Sequence, residues 1–180
     1  PKTLKKAAVT EVAMHAYWEH GPADVSLNAI CQQAGVSKPS VYREFGNDDG
    51  LTHAALSSYA DQVLSRTLAI IQSEDSFACK INQLVHLSAK DVLHEKGCLF
   101  VKMRAAKAQM GPKTQELIGA IEHMAFEAFS KVLTEARTAG KWSGDLSVEL
   151  GARYLQAQIG LALDQRARGE DPKEILGLAL

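Results

Sequence analysis

Within VSLNAICQQAGVSKPSVYREF (Val25–Phe45), two short helical patterns flank a single glycine. Ser26 is placed to cap the first, Leu27–Ala34, because its hydroxyl can accept from the free amides of the opening turn. Ile30 and Ala34 lie on the inward face of that helix. Gly35 adopts positive φ at no steric cost, so the chain turns at Ala34-Gly35-Val36, with Val36 expected in the core between the helices. Ser37 caps the second helix. Pro39 is tolerated in its first turn, where amides have no intrahelical partner. Val41 and Phe45, four residues apart, share one face. The opposite face offers Ser37, Lys38, Ser40, Tyr42 and Arg43, hydroxyls, cations and a phenol that reach phosphates or base edges, while Pro39 can meet a thymine methyl. Helix, tight turn and helix is the arrangement that lays its second helix in the DNA major groove. The plainer reading of the same spacing is a surface turn in a helical bundle, with Lys38 and Arg43 merely solvated.

Outside this stretch the pattern is helical throughout. Residues 113–139 repeat apolar side chains at 3.6-residue spacing, and Gly140 follows as a C-cap. Similar stripes run over residues 48–72 and over 76–95, the latter ending at Gly97. Ser147 can cap a helix reaching about Arg168, and Pro172 stands where a last helix begins. No run alternates with period two and no hairpin signal is present, so no strand is expected. The fold class is all-α, with about nine helices.

The 180 residues suit one domain or a small module joined to a larger one. The longest stretch free of Asp, Glu, Lys and Arg is thirteen residues, Val25–Ser37. A bilayer span needs roughly 20 mostly apolar residues, so no membrane helix is expected. No basic-then-apolar leader pattern is visible. Cys31, Cys79 and Cys98 form no CxxC pair and are odd in number, which fits reduced thiols and a cytoplasmic location. Cys79 and Cys98 show no electropositive neighbours in sequence and read as inert buried thiols. His86, His94 and His123 lack metal-ligand spacing and read as surface or hydrogen-bonded core residues; neither metal nor cofactor is expected. No GxGxxG, P-loop, HExxH, GxSxG or Glu-x-x-His pair occurs, so no enzyme class finds support.

Residues 4–51 resemble the DNA-binding domain of the TetR/AcrR transcriptional regulators. The resemblance is carried by LKKAAVTEVAMHAYWEHG as first helix and by AGVS followed by Pro39, Tyr42, Phe45 and Leu51. Beyond that stretch it rests on helix count and on GCLF at Gly97–Phe100. It implies a three-helix DNA-binding domain at 1–47 and a ligand-binding and dimerisation bundle at 48–180. It places DNA contacts at Lys38, Ser40, Tyr42 and Arg43 of a recognition helix Ser37–Glu44, with Ser26 and Asn28 at the start of the preceding helix. The chain departs from the family at two positions. Where a phosphate-contacting lysine commonly starts the fourth helix, it has Asp48 followed by Asp49. Where a histidine commonly precedes the Phe, it has Glu44. Both aspartates suit a helix N-terminus but cannot neutralise phosphate. Phosphate contact then leans on Lys5, Lys6, Lys38, Tyr42, Arg43 and backbone amides.

The expected function is a ligand-responsive regulator, a repressor in most of this family, bound to a pseudo-palindromic operator on double-stranded DNA as a homodimer and released by a small-molecule effector. Residues 148–163 are apolar or small nearly all round, which suggests one face in the core and another on a partner subunit. Tyr154, Gln158, Leu161, Gln165, Ile175 and Leu176 are the expected dimer contacts; a central core helix in a monomer has the same pattern. Phe100, Met103, Met110, Ile121, Met124 and Phe129 are candidates for an effector cavity, although the same spacing suits ordinary core residues. An all-α small-molecule-binding protein or enzyme with an incidental helix-turn-helix-like segment is the alternative. A constitutive architectural DNA binder would fit the first domain equally well.

The net charge of −1 looks unfavourable for a DNA binder. Residues 1–43, however, hold five cations (Lys2, Lys5, Lys6, Lys38, Arg43) against three anions (Glu11, Glu19, Asp24). The remainder holds fifteen against eighteen. A weakly basic head on an acidic body orients the chain on a polyanion, with modest and strongly salt-dependent affinity.

Overall fold

The computed structural model describes residues 2–143 and 145–178, with the side chains of all of these except 2–5, 175, 176 and 178. Ten α-helices follow in chain order: α1 Lys2–His20, α2 Leu27–Ala34, α3 Lys38–Phe45, α4 Asp48–Tyr59, α5 Ser65–Gln72, α6 Phe77–Lys90, α7 Leu99–Ala105, α8 Pro112–Thr138, α9 Val148–Ala167 and α10 Lys173–Leu178. A π-helical turn, Ala60–Leu64, joins α4 to α5 without a break. Counted as one helix, they bring the total to the nine expected. No strand occurs among the described residues.

The chain forms two compact units, Pro1–Gln62 with Leu99–Ala120, and Val63–Cys98 with Ile121–Leu180. In the first, α1 packs on α2 and α4, and α3 on α4. Its core is built from Ala13, Met14, Ile30, Val41, Leu51, Leu56, Tyr59, Leu99, Met103 and Ile118, each at most 1% exposed. Trp18 is buried and meets Tyr59 edge-to-face with ring centroids 4.8 Å apart. The unit is larger than a three-helix head. It includes α4, α7 and the start of α8, because Asp49 and Lys102 tie these to the head.

In the second unit Ile71, Leu84, Phe129, Val132, Leu133 and Ala152 form the core cluster. Ser147 caps α9, its hydroxyl accepting from the Leu150 amide at 3.1 Å, and Gly140 takes positive φ after α8. The helical stripe drawn over 76–95 stops earlier, at Lys90. Asp91 then turns the chain into a short 3₁₀ segment, Val92–His94, by accepting from the Leu93 amide. Gly97 is required where that segment closes. Its φ is +79°, and a Cβ there would lie 2.8 Å from Ala167 Cβ. Pro172, expected inside the first turn of the last helix, immediately precedes α10.

Three expectations about individual side chains need correction. Ala34 and Val36 are half-buried rather than in the core, because the turn after α2 stays near the surface. Cys79 is exposed, on the open side of α6, where its sulfur accepts from Gln83 Nε2 at 3.1 Å; Cys31 and Cys98 are buried. His94 is 2% exposed, yet its Nδ1 has no hydrogen-bond partner among the described residues. Burial pushes its imidazole down to about 4, with Arg166 and Arg66 adding to the effect against the pull of Asp91.

Candidate nucleic-acid interface

The turn that presents α3 is built from local capping alone. Ser26, with φ −81° and ψ 149°, accepts from the Ala29 amide at 3.2 Å and starts α2. Gly35 ends that helix in the left-handed region, φ +63°, and its N–H returns to Cys31 and Gln32 carbonyls. Ser37 then repeats Ser26's geometry, φ −86° and ψ 149°, and accepts from the Ser40 amide at 3.4 Å. Two serine caps either side of one αL glycine set the crossing of α2 and α3.

Val41 and Phe45 point inward at 1% and 9% exposure, so the rest of α3 is turned to solvent. There Ser37 Oγ donates to Ser40 Oγ at 3.0 Å, and Arg43 Nη2 donates to the same oxygen at 3.3 Å. Lys38 Nζ lies 5.4 Å from the centre of the Tyr42 ring, and Lys6 Nζ 5.5 Å from that of Phe45. The structure thus brings Ser37, Lys38, Ser40, Tyr42 and Arg43 onto one face, with Pro39 exposed in its first turn and Lys6 of α1 alongside. Ser26 and Asn28 are exposed at the start of α2. The Lys5 side chain lies outside the described residues. Glu44 is exposed beside Arg43 and helps line a cleft of about 370 Å³ between α1 and α3 with Lys6.

Two anchors of this head have no local sequence signal. Asp49, in the first turn of α4, accepts from the amides of Lys113 and Thr114 at 2.9 and 3.1 Å, and so caps α8. Lys102 of α7 donates through Nζ to the carbonyls of Trp18 and Glu19, the C-terminal end of α1. Both bonds link residues more than sixty positions apart, and only the tertiary fold brings them together. Asp48, next to Asp49, is exposed at the start of α4, where Asn47 supplies the side-chain cap.

The candidate effector residues are divided between the two units. Phe100, Met103 and Met110 belong to the first unit, and Ile121, Met124 and Phe129 to the second. Met103 is fully buried in its core and Met124 is 54% exposed. Of the candidate dimer residues, Tyr154 and Leu161 are exposed on α9 at 39% and 41%, while Gln158 and Gln165 are half-buried. The side chains of Ile175 and Leu176 lie outside the described residues. Among the described residues no cluster of His, Cys, Asp or Glu could hold a metal ion, and no helix is long and apolar enough to cross a membrane.

An all-α chain that displays a capped second helix on a short glycine turn is a helix-turn-helix protein. Residues 9–55 match the model for bacterial regulatory proteins of the tetR family. The HTH-type transcriptional repressor ComR of Escherichia coli (strain K12) is 32% identical over 75 residues, 42% of this chain and 36% of ComR. The match thus spans about a third of that relative. Among solved structures, the reduced form of E. coli NemR aligns with 97% of this chain and 95% of its own at a TM-score of 0.82 and 17% identity. A cysteine mutant of the TetR family regulator CifR, solved with a 26-bp operator duplex, aligns with 96% of this chain and 92% of its own, at a TM-score of 0.72 and 19% identity. Residues 9–55 thus match the tetR family's DNA-binding module, and the fold is the one seen in these regulators.

Proposed function

We propose that this protein is a cytoplasmic transcriptional repressor that binds a pseudo-palindromic operator as a homodimer and is released by a small-molecule effector. The observation that carries the reading is the solvent face of α3. Its hydroxyls, cations and phenol are held ready by mutual contacts, with no acidic side chain among the described residues paired to them.

In that reading α3 enters the major groove. Arg43 and Lys38 bind phosphate or guanine edges, Tyr42 donates to a phosphate, and Ser37 and Ser40 approach base edges. Ser26, Asn28, Lys5 and Lys6 hold the flanking backbone. One short helix reads few bases, so two copies about 34–36 Å apart on successive major grooves supply the specificity. The exposed apolar side chains Leu150, Tyr154 and Leu161 recur along one side of α9 and supply an isologous contact with the partner. Effector release requires tighter effector binding to the conformer that fits DNA poorly, since equal affinity would shift nothing.

Fluorescence anisotropy with labelled duplexes from the region upstream of the protein's own gene tests the reading. We expect saturable binding at low ionic strength that weakens steeply with salt. No salt-sensitive binding to any such fragment would end it.

A further inference from the structure

The second unit contains an open cavity of about 430 Å³ bordered by α6, the end of α8, Lys141, Trp142 and Leu146 after it, and the start of α9. Small-molecule sites commonly measure about 300–1,000 Å³ and combine apolar walls with a few polar groups. Phe77, Ile81, Leu133, Trp142 and Leu155 supply the apolar walls here. Lys141, Asn82 and Tyr154 supply the polar groups, and among the described residues no carboxylate lines the cavity.

The aromatic wall is fixed in place. The amides of Lys141 and Trp142 both donate to the Ala136 carbonyl, at 2.8 and 3.2 Å. The Arg137 guanidinium sits 4.4 Å from the centre of the indole. Gly151 lets the far edge of the ring approach α9, since a Cβ there would lie 3.1 Å from Trp142 Cη2 and 3.0 Å from Leu133 Cδ1. A wall already ordered loses little entropy when a flat ligand stacks on it. Lys141 borders this wall, and its ammonium favours an anion there.

We propose that this cavity binds an aromatic anion, its ring against Trp142 and its acidic group at Lys141 and Asn82. As the effector site of the regulator proposed above, it rests on that reading; as a binding site it stands alone. The location gives occupancy a consequence. Tyr154 lines the cavity and also belongs to the exposed stripe of α9, so a ligand on one side of that side chain meets the surface proposed to hold the partner on the other.

The test uses the full chain and two probes of nearly equal shape, the anionic 8-anilinonaphthalene-1-sulfonate and the neutral N-phenyl-1-naphthylamine. We expect one sulfonate per chain, with enhanced probe emission and quenching of tryptophan fluorescence that Trp142→Phe removes, leaving Trp18. Ala78→Phe fills the cavity from an exposed position on α6 and should weaken both probes at least about tenfold, with the melting temperature unchanged. Lys141→Gln should weaken the sulfonate about fivefold and leave the neutral probe unaffected, the size expected of an exposed ion pair. Unaltered binding to Ala78→Phe, or equal loss of both probes in Lys141→Gln, would overturn the proposal. Operator anisotropy with and without the sulfonate separates the two readings. Probe binding as described with operator binding unmoved keeps the site and removes its regulatory role.

Discussion

Thr114 Oγ1 donates to Asp49 Oδ1 at 2.7 Å, across 65 residues of chain, and Thr114 is fully buried. The same carboxylate takes the two backbone amides at the start of α8. The aspartate that follows Asp48, the site of the family's usual phosphate-binding lysine, thus serves as the cap of a distant helix. Gly111 completes the joint, because a Cβ there would fall 2.3 Å from Asp49 Cγ.

Asp49→Ala should therefore destabilise the first unit markedly. The lost cap costs about 1–2 kcal/mol, and the Thr114 hydroxyl, left with only the residue 49 carbonyl at 3.3 Å as acceptor, adds about 0.5–1.5 kcal/mol. For a chain of this size each kcal/mol lowers the melting temperature by roughly 2–4 °C. Thermal and urea unfolding measure the effect. An unshifted midpoint would show that α8 is held by packing alone.

Stability should fall with acid in two stages. His94 is neutral in the fold down to about pH 4, whereas the unfolded chain takes up that proton near 6.5. Between these values the unfolded state binds more protons, so stability drops as pH falls, by about 3 kcal/mol in all. Asp49 and Asp91 act lower. Burial would raise both carboxyls, but hydrogen bonds from Thr114 and the Lys113 amide to Asp49, and from the Leu93 amide and Arg66 to Asp91, hold them below the usual 3.8. Their contribution is present above that value and is lost as pH falls through the lowered pKa. Melting temperatures of wild type and His94→Gln from pH 7 to 4 separate the stages. A slope in that window that survives the substitution would assign it to other groups.

At the DNA surface, Arg43→Ala and Lys38→Ala should each weaken binding across all sequences and reduce the salt slope by about one per removed contact. Asp48→Lys should act in the opposite direction, raising affinity and steepening the slope by about one per head. The exposed Asp48 side chain gives up only a favourable place at a helix N-terminus, worth about 0.3–1 kcal/mol. Anisotropy titrations at several salt concentrations give both quantities. An Asp48→Lys variant with unchanged slope would place the start of α4 away from the phosphates.

The parts legible in the sequence are those set by neighbours in the chain. Ser26, Gly35, Ser37, Gly140 and Ser147 act as caps within a few residues, so their chemistry announces the helix ends directly. The inward pair Val41 and Phe45 follows from helix period alone. Asp49 and Lys102 could not be read this way, because their partners at Thr114 and Trp18 are set by tertiary packing. His94 looked like a surface or satisfied histidine because burial is a property of the 3₁₀ turn around it. Periodicity marks the inward side of a helix but not which helices leave a gap, so the cavity beside Trp142 has no signature in it.

The stripe on α9 gives the last prediction. Leu150 and Leu161 are 52% and 41% exposed in the isolated chain, with Tyr154 between them. Large side chains recurring along one side of a helix expose apolar surface that a monomer has no reason to keep. If this stripe holds the partner, Leu161→Arg places a charge from each subunit into an isologous contact near its own symmetry mate, and the dimer should dissociate. Light scattering at micromolar concentration should then report a monomer of 19.5 kDa. Operator affinity should fall far more than for any single α3 substitution, because each head alone keeps only half the contacts and loses the gain in effective concentration. Leu161→Ala, which shortens the side chain without adding charge, should weaken the dimer less. A Leu161→Arg protein that remains dimeric would place the partner contact on another face of the second unit.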